Sequence, residues 1–357
     1  MTGNAAWSRC RPGSPGVAAV MARRQRYPVP RSSGISLPAL LISMALGLLF
    51  AALLVWTFAE ARRQFLLADE LARVRENGRF AMALLRRELA LAGFHGGLPL
   101  HTAAAPPVAV DGCGVSARWP LGDVDALDLQ VGYAGGAPQT VTGVVLDCLP
   151  AAMLQRGSDL LAIRRTAAEA TLANGEWAAA ASGVDRGHWY LQIRGQTAAV
   201  QWWQAGRVAA AEAVPGSGVD YWRLLARVFY VRRYSVTPAD HIPTLCAAAL
   251  APAGMFSQCL VEGIERIHIE LGVDGDGNGV PEHYVLQPDA AQLRRAVTAR
   301  VALLVRSLVP VPGYAGARRY RLGQREFVAD DDGYIRRVFS TTVGLRNLRP
   351  AVAWGET

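Results

Sequence analysis

The chain has 357 residues, 37 basic and 29 acidic, and every basic one is arginine. A length of that order holds a membrane anchor with one large domain or two small ones, and the arginine monopoly reads as compositional drift, which strips arginine clusters of much of their usual meaning. The net charge of +8 would suggest a nucleic-acid partner if it were spread along the chain, but residues 1–34 carry six arginines and no acid, leaving 31 basic against 29 acidic residues in the remainder, so no nucleic-acid partner is argued.

From Ile35 to Phe58 no residue is charged, and the only polar side chains are Ser36, Ser43 and Thr57. At about 1.5 Å per residue such a helix crosses a hydrocarbon core roughly 30 Å thick. A secretory signal peptide has an apolar region of only about 7 to 15 residues and ends in a small-residue cleavage site. Here the run is longer and continues without a break into Glu60, Ala61, Arg62 and Arg63. The arginines of residues 1–34 outnumber these two, so the leader is expected in the cytoplasm and everything after Phe58 across the membrane.

Leu67, Leu71, Val74, Gly78, Ala81, Leu85 and Leu89 then follow steps of three and four, with charged residues on the other faces. The pattern predicts one helix from about Ser36 to Ala92, on the order of 85 Å long, stopped near Gly93. Residues 35–58 form its membrane half and 59–93 its amphipathic half.

Beyond Gly93 the period changes to two. Ile267, Ile269, Leu271 and Val273 alternate, as do the odd residues from Val297 to Val305 and from Phe339 to Leu345. Shorter strand candidates are "ALDLQVGY", "DLLAIRR", "HWYLQIR" and "RVFYVRRYSV", between Gly, Pro and Asp turns. Thr166 to Gly183 reads equally as a short helix or a long loop. The expected class is α+β: a long N-terminal helix packed on a mostly antiparallel sheet domain over residues 94–357.

Cys10 lies in the leader, which leaves Cys113, Cys148, Cys246 and Cys259 across the membrane. Four cysteines in an oxidising compartment admit three pairings. Cys246 with Cys259, closing the loop "CAAALAPAGMFSQC", and Cys113 with Cys148 are favoured; buried free thiols are the alternative. A loop of this size contributes about 3 kcal/mol when closed.

"DGDGNGVPE" places Asp274, Asp276 and Asn278 at every second position, followed by Gly279 and Glu282. Oxygen donors in that spacing converge on a hard cation, and calcium is the candidate. Position twelve of a calcium loop, however, falls on Val285. The competing and favoured reading is a hairpin turn, since Asp-Gly and Asn-Gly are strong turn signals. "DDDGY" (Asp330 to Tyr334) reads as a solvated turn. The six histidines show no paired metal spacing, and no nucleophile elbow, phosphate loop or dinucleotide fingerprint occurs. No resident cofactor and no enzymatic reaction are expected. Trp202-Trp203 and Trp189-Tyr190 read as core or cross-strand pairs.

The plan as a whole, a basic leader ending in Gly34, an apolar helix that becomes amphipathic, then a sheet domain, resembles the type IV pilins and pseudopilins. "RVRENGRFAMALLRRELALAGFHG" (Arg73 to Gly96) is similar to the helix end of PilW-type minor pilins. So, in family order, are "RGSDLLAIRR", "VEGIERIHIELGVDGDGNGVPEHY", "VTARVALLVRS" and "GYIRRVFSTTVGLRN". The resemblance implies cleavage by a prepilin peptidase between Gly34 and Ile35 and methylation of the new amine. Met21 then offers an alternative start, with a 14-residue leader. It also implies partners: other minor pilins, the major pilin, a tip adhesin, the inner-membrane assembly platform and the lipid bilayer itself.

Pro38 and Ala39 depart from the pattern, since most pilins carry a glutamate where Ala39 stands. A carboxylate in lipid is costly and therefore usually functional; in pilins it is thought to pair with the terminal amine of the neighbouring subunit, which Ala39 cannot do. Pro38 is tolerated in the first turn, where its missing N–H breaks no bond. The loss of the acid resembles the tip pseudopilin of secretion systems. A position near the filament tip and a substitution without positional meaning both remain open. The expected role is a structural minor pilin in pilus priming or tip-complex formation. The alternatives are a type II secretion pseudopilin and a membrane-anchored periplasmic binding protein.

Overall fold

The structure is a computed structural model that describes residues 36–98, 126–143, 145–146, 148–195, 200–314 and 317–348. Gly34, Ile35 and Cys113 lie outside them. The chain divides into two units, Met1–Ala59 and Glu60–Thr357.

A single helix, α1, runs over Leu37–Ala90, 54 residues. Its first unit consists of exposed residues throughout. In the second unit Glu70, Val74, Gly78, Ala81, Leu85, Glu88 and Leu89 are buried. These steps of three and four form a single stripe, and two of its members are acids. The helix ends two residues short of the expected Ala92. Gly93 follows with φ +79°, and its N–H donates to the carbonyl of Arg164 on the sheet (3.0 Å). A Cβ at Gly93 would meet the Asn347 carbonyl oxygen at 2.8 Å, so the left-handed turn needs glycine for space as well as for conformation.

The larger sheet is built around β7 (Val219–Arg232), which is 14 residues long and serves two sets of neighbours. Its second half lies between β2 (Leu160–Thr166) and β8 (Thr244–Ala251), with β1 (Leu127–Gln130) and β9 (Gly254–Glu262) outermost. Its first half pairs with β5 (Trp189–Arg194), itself joined to β6 (Val200–Gln204), and touches the hairpin of β3 (Leu172–Ala173) and β4 (Glu176–Trp177). The stretch left open between helix and loop is thus a hairpin. The signal lay in "LANGEW": Asn174 and Gly175 both take positive φ, 48° and 80°, the two-residue turn that matches the strand twist.

The second sheet is antiparallel, in the order β11 (His283–Val285), β10 (Ile264–Val273), β12 (Ala296–Arg306), β15 (Arg336–Gly344). A separate hairpin of β13 (Arg318–Leu322) and β14 (Arg325–Ala329) packs Leu322 against Ala302 and Leu304 on its back. A five-residue helix, α2 (Ala290–Arg294), starts at Asp289, whose side chain accepts from Gln292 N–H in a capping box. One core runs from Val74, Ala81, Leu85 and Leu89 of α1 to Ile163, Phe229 and Leu245 of the larger sheet, and to Ile267, Ile269, Val301 and Leu303 of the smaller. The odd-numbered residues that alternate in sequence are the ones that face α1. Most even-numbered ones on β10 are buried as well, because the β13–β14 hairpin covers the other face.

Candidate assembly interface

From Leu37 to Phe58 every side chain is exposed, Leu48 at 71% and Trp56 at 66%. The helix is long and apolar enough to cross a membrane. Its polar side chains turn back on its own backbone: Ser43 Oγ donates to the Leu40 carbonyl (2.8 Å) and Thr57 Oγ1 to that of Leu54 (2.9 Å). Each hydroxyl is therefore satisfied without water, as an apolar surrounding requires. The first helical bond runs from Leu40 N–H to the Ser36 carbonyl (3.1 Å), so Pro38 lies among the residues whose N–H would be unpaired in any case.

In the second unit the helix is fastened by polar contacts to several different strands and loops. Glu88 is 3% exposed and accepts a fork from Arg165 of β2, Nε to Oε2 at 2.9 Å and Nη2 to Oε1 at 2.8 Å. Arg227 of β7 adds a third bond to Oε1 (2.5 Å). Asn77 donates to the Glu262 carbonyl at the end of β9 (3.0 Å), Glu70 accepts from Leu308 N–H (3.0 Å), and Asn347 donates back to the Ala90 carbonyl (3.1 Å). Charges taken out of water are held only when paired and fully hydrogen-bonded, and the Glu88 cluster meets that condition. Glycine at 78 has a related purpose: a Cβ there would clash with the Phe339 ring of β15, so helix and sheet touch backbone to ring.

Cys246 and Cys259 form a disulfide. The segment between them is a hairpin rather than the expected loop: β8 and β9 pair antiparallel with the two cysteines opposite each other and a register shift between Leu245 and Cys246, and Pro252 falls in the turn, where it removes no ladder bond. Cys148 is disulfide-bonded, and Cys113 lies outside the described residues. Residues 274–282 connect β10 to β11, which pair antiparallel. One carboxylate oxygen each of Asp274, Asp276 and Glu282 lies within 4.8 Å of the others. The same carboxylates hold the turn: Asp274 accepts from Gly277 and Gly279 N–H (both 2.6 Å), Asp276 from Asn278, and Glu282 from Gly275 (2.7 Å). The Gly275 N–H, with further backbone donors, holds the Glu282 carboxyl below its ordinary range. Asn278 turns its carbonyl to Val280 N–H (2.7 Å). The loop thus meets its own hydrogen-bonding needs, as a hairpin turn must.

"DDDGY" is more than a solvated turn. Asp332 takes both terminal nitrogens of Arg336 (2.7 and 2.6 Å), which hold its carboxyl below the usual range, and Arg336 also forks onto Glu265 (2.7 and 3.2 Å). Sequence reasoning missed Glu88, Arg165 and Glu70. Two acids spaced 18 apart on an otherwise apolar stripe were the available signal, but their partners lie far along the chain.

Residues 228–347 match the family model described as PilW, type IV pilus-assembly protein W. No curated protein and no solved structure matches the chain.

Proposed function

We propose that this chain, whose residues 228–347 match the model of type IV pilus-assembly protein W, acts as a minor pilin in priming or tip-complex formation. The observation that carries the reading is a single helix with two characters. Its first part shows only apolar or internally satisfied side chains, and its second part is bolted to the sheets by Glu88, Asn77 and Glu70. An apolar rod of this kind suits lipid before assembly and sister helices afterwards.

In this reading a prepilin peptidase cuts between Gly34 and Ile35 and the new amine is methylated. The leader faces the cytoplasm, and the sheet domain sits in the periplasm until the subunit enters the pilus. Its partners are other minor pilins, the major pilin, a tip adhesin and the inner-membrane platform. It is a structural subunit, with neither a reaction nor a resident cofactor.

Deleting the gene should abolish surface pili while retraction operates and restore some when retraction is disabled; unchanged piliation in both backgrounds overturns the role. Mass spectrometry of the membrane form should find a methylated Ile35 as the first residue. Ala39 favours a second reading, a pseudopilin of a type II secretion system near the filament tip, because that position lacks the acid that recruits a neighbour. Loss of secretion with intact pili would select it.

A further inference from the structure

The last strand of the smaller sheet has an open side. Among the described residues β15 pairs with β12 alone. Leu345 N–H donates to the Val297 carbonyl and Ser307 N–H to the Ile335 carbonyl, both at 2.8 Å. Odd-numbered residues of β15 therefore direct their backbone groups at β12, and the even-numbered Val338, Ser340 and Thr342 direct theirs outward. Exposed edges are ordinarily guarded by charge, proline or a bulge. From Val338 to Gly344 this one has none of these: its register against β12 is unbroken and no residue is charged.

Beside that edge runs a groove of about 580 Å³, with Phe339, Ser340 and Thr341 on one wall and α1 on the other. The helical wall carries Arg79, Arg86 and Arg87, all exposed. None of the three makes an ion pair or hydrogen bond among the described residues, and no lining residue is acidic. Elsewhere on the same stretch of helix Arg73 pairs with Asp69 (3.1 Å), whereas these three face the groove.

We propose that the β15 edge and this arginine wall together receive an extended, acidic segment of a partner protein as a fifth strand. Its backbone would complete the ladder at Val338, Ser340 and Thr342, and carboxylates on alternate residues would face Arg79 and Arg86. The spacing agrees: seven helical residues rise about 10.5 Å, and carboxylates two to four residues apart on a strand lie about 7 to 14 Å apart, within reach of flexible arginine side chains. A second copy of this chain is a poor occupant by the same reasoning. Two β15 edges placed side by side would bring two arginine walls together with no acid between them. The inference does not depend on the filament role, since it requires only the edge and the charge.

The test uses the full-length protein in detergent micelles and two labelled peptides, one alternating threonine and glutamate, the other threonine and glutamine. Fluorescence anisotropy should show the glutamate peptide binding at least about fivefold more tightly, two exposed ion pairs being worth about that much. Amide hydrogen exchange should slow at Val338, Ser340 and Thr342 when it is bound. The double variant Arg79→Glu/Arg86→Glu should abolish the preference. Ser340→Pro, which removes an outward N–H and leaves the β12 ladder intact, should weaken binding with the arginines untouched, and Thr342→Pro serves if that variant does not fold. Equal binding of both peptides, or no binding of the glutamate peptide, overturns the proposal. So does edge protection that rises with protein concentration alone, which would assign the edge to a second copy.

Discussion

Glu88 shows how a single side chain decides where the helix sits. It lies on the inner stripe where an apolar residue would be ordinary, and the two arginines that meet it come from strands 77 and 139 residues away. A buried pair of this kind adds little net stability, because desolvation offsets most of the attraction, whereas removing one partner strands the other charge. Glu88→Ala should therefore lower stability by about 3 to 5 kcal/mol, read as the unfolding midpoint in denaturant. Replacing Glu88 and Arg165 together with leucine should recover most of the loss. His95 makes a different contribution. Its Nδ1–H donates to the Gly93 carbonyl (2.7 Å), its ring lies edge-on to Trp202, and its buried Nε2 finds no partner among the described residues. Burial, aided by nearby Arg164, pushes its pKa down to about 4 against the Gly93 bond. The folded state thus binds this proton less readily than the unfolded chain, so the stability His95 confers is whole above about pH 6.5 and is lost as pH falls toward 4. The loss should reach on the order of 3 kcal/mol. His95→Gln should flatten that limb of the stability profile, and an unchanged slope would refute the assignment.

At the scale of elements, α1 has two halves with opposite demands. Against the sheet it must approach closely, and Gly78 gives the Phe339 ring the space a Cβ would take. Gly78→Leu should cost about 1 to 3 kcal/mol through overpacking, despite leucine's better helix propensity. Combining it with Phe339→Ala should return part of that, a coupling measurable in a double-mutant cycle. In the apolar half the demand is uninterrupted greasiness. Leu48→Arg places a charge at mid-helix, at about 2.5 to 3.5 kcal/mol on insertion scales, and should reduce membrane retention and pilus incorporation together, as read by fractionation and immunoblotting. A loss of incorporation with normal retention would separate the two roles assigned to this surface.

In the Glu60–Thr357 unit the two sheets and the β13–β14 hairpin converge on one fully buried carboxylate, Asp159. It accepts from Gly132 N–H (2.6 Å) just beyond β1 and from Ile269 N–H of β10 (2.8 Å), and lies 3.1 Å from His268 Nδ1 and 3.7 Å from Arg325 of β14. His268 passes the connection to Glu270 (3.3 Å), which accepts from Arg300 (3.1 Å) and from Gln324 N–H in the β13–β14 turn (2.5 Å). Asp159→Ala leaves the N–H groups of Gly132 and Ile269 and a histidine without their acceptor. It should lower the unfolding midpoint and broaden the transition as the sheets lose their common anchor, whereas a sharp, unshifted transition would show the network to be dispensable. Local periodicity carried the long helix, its apolar half, the alternating strands of the smaller sheet and the hairpin of the Asp274 turn. Each is written into neighbours a few residues apart, so spacing alone reveals it. Burial of Glu88, Asp159 and His268, and the open edge beside Arg79 and Arg86, arose from tertiary contacts instead. A polar residue's partner, or an edge's lack of one, depends on segments that folding brings together from a hundred residues away, and no local pattern encodes that distance.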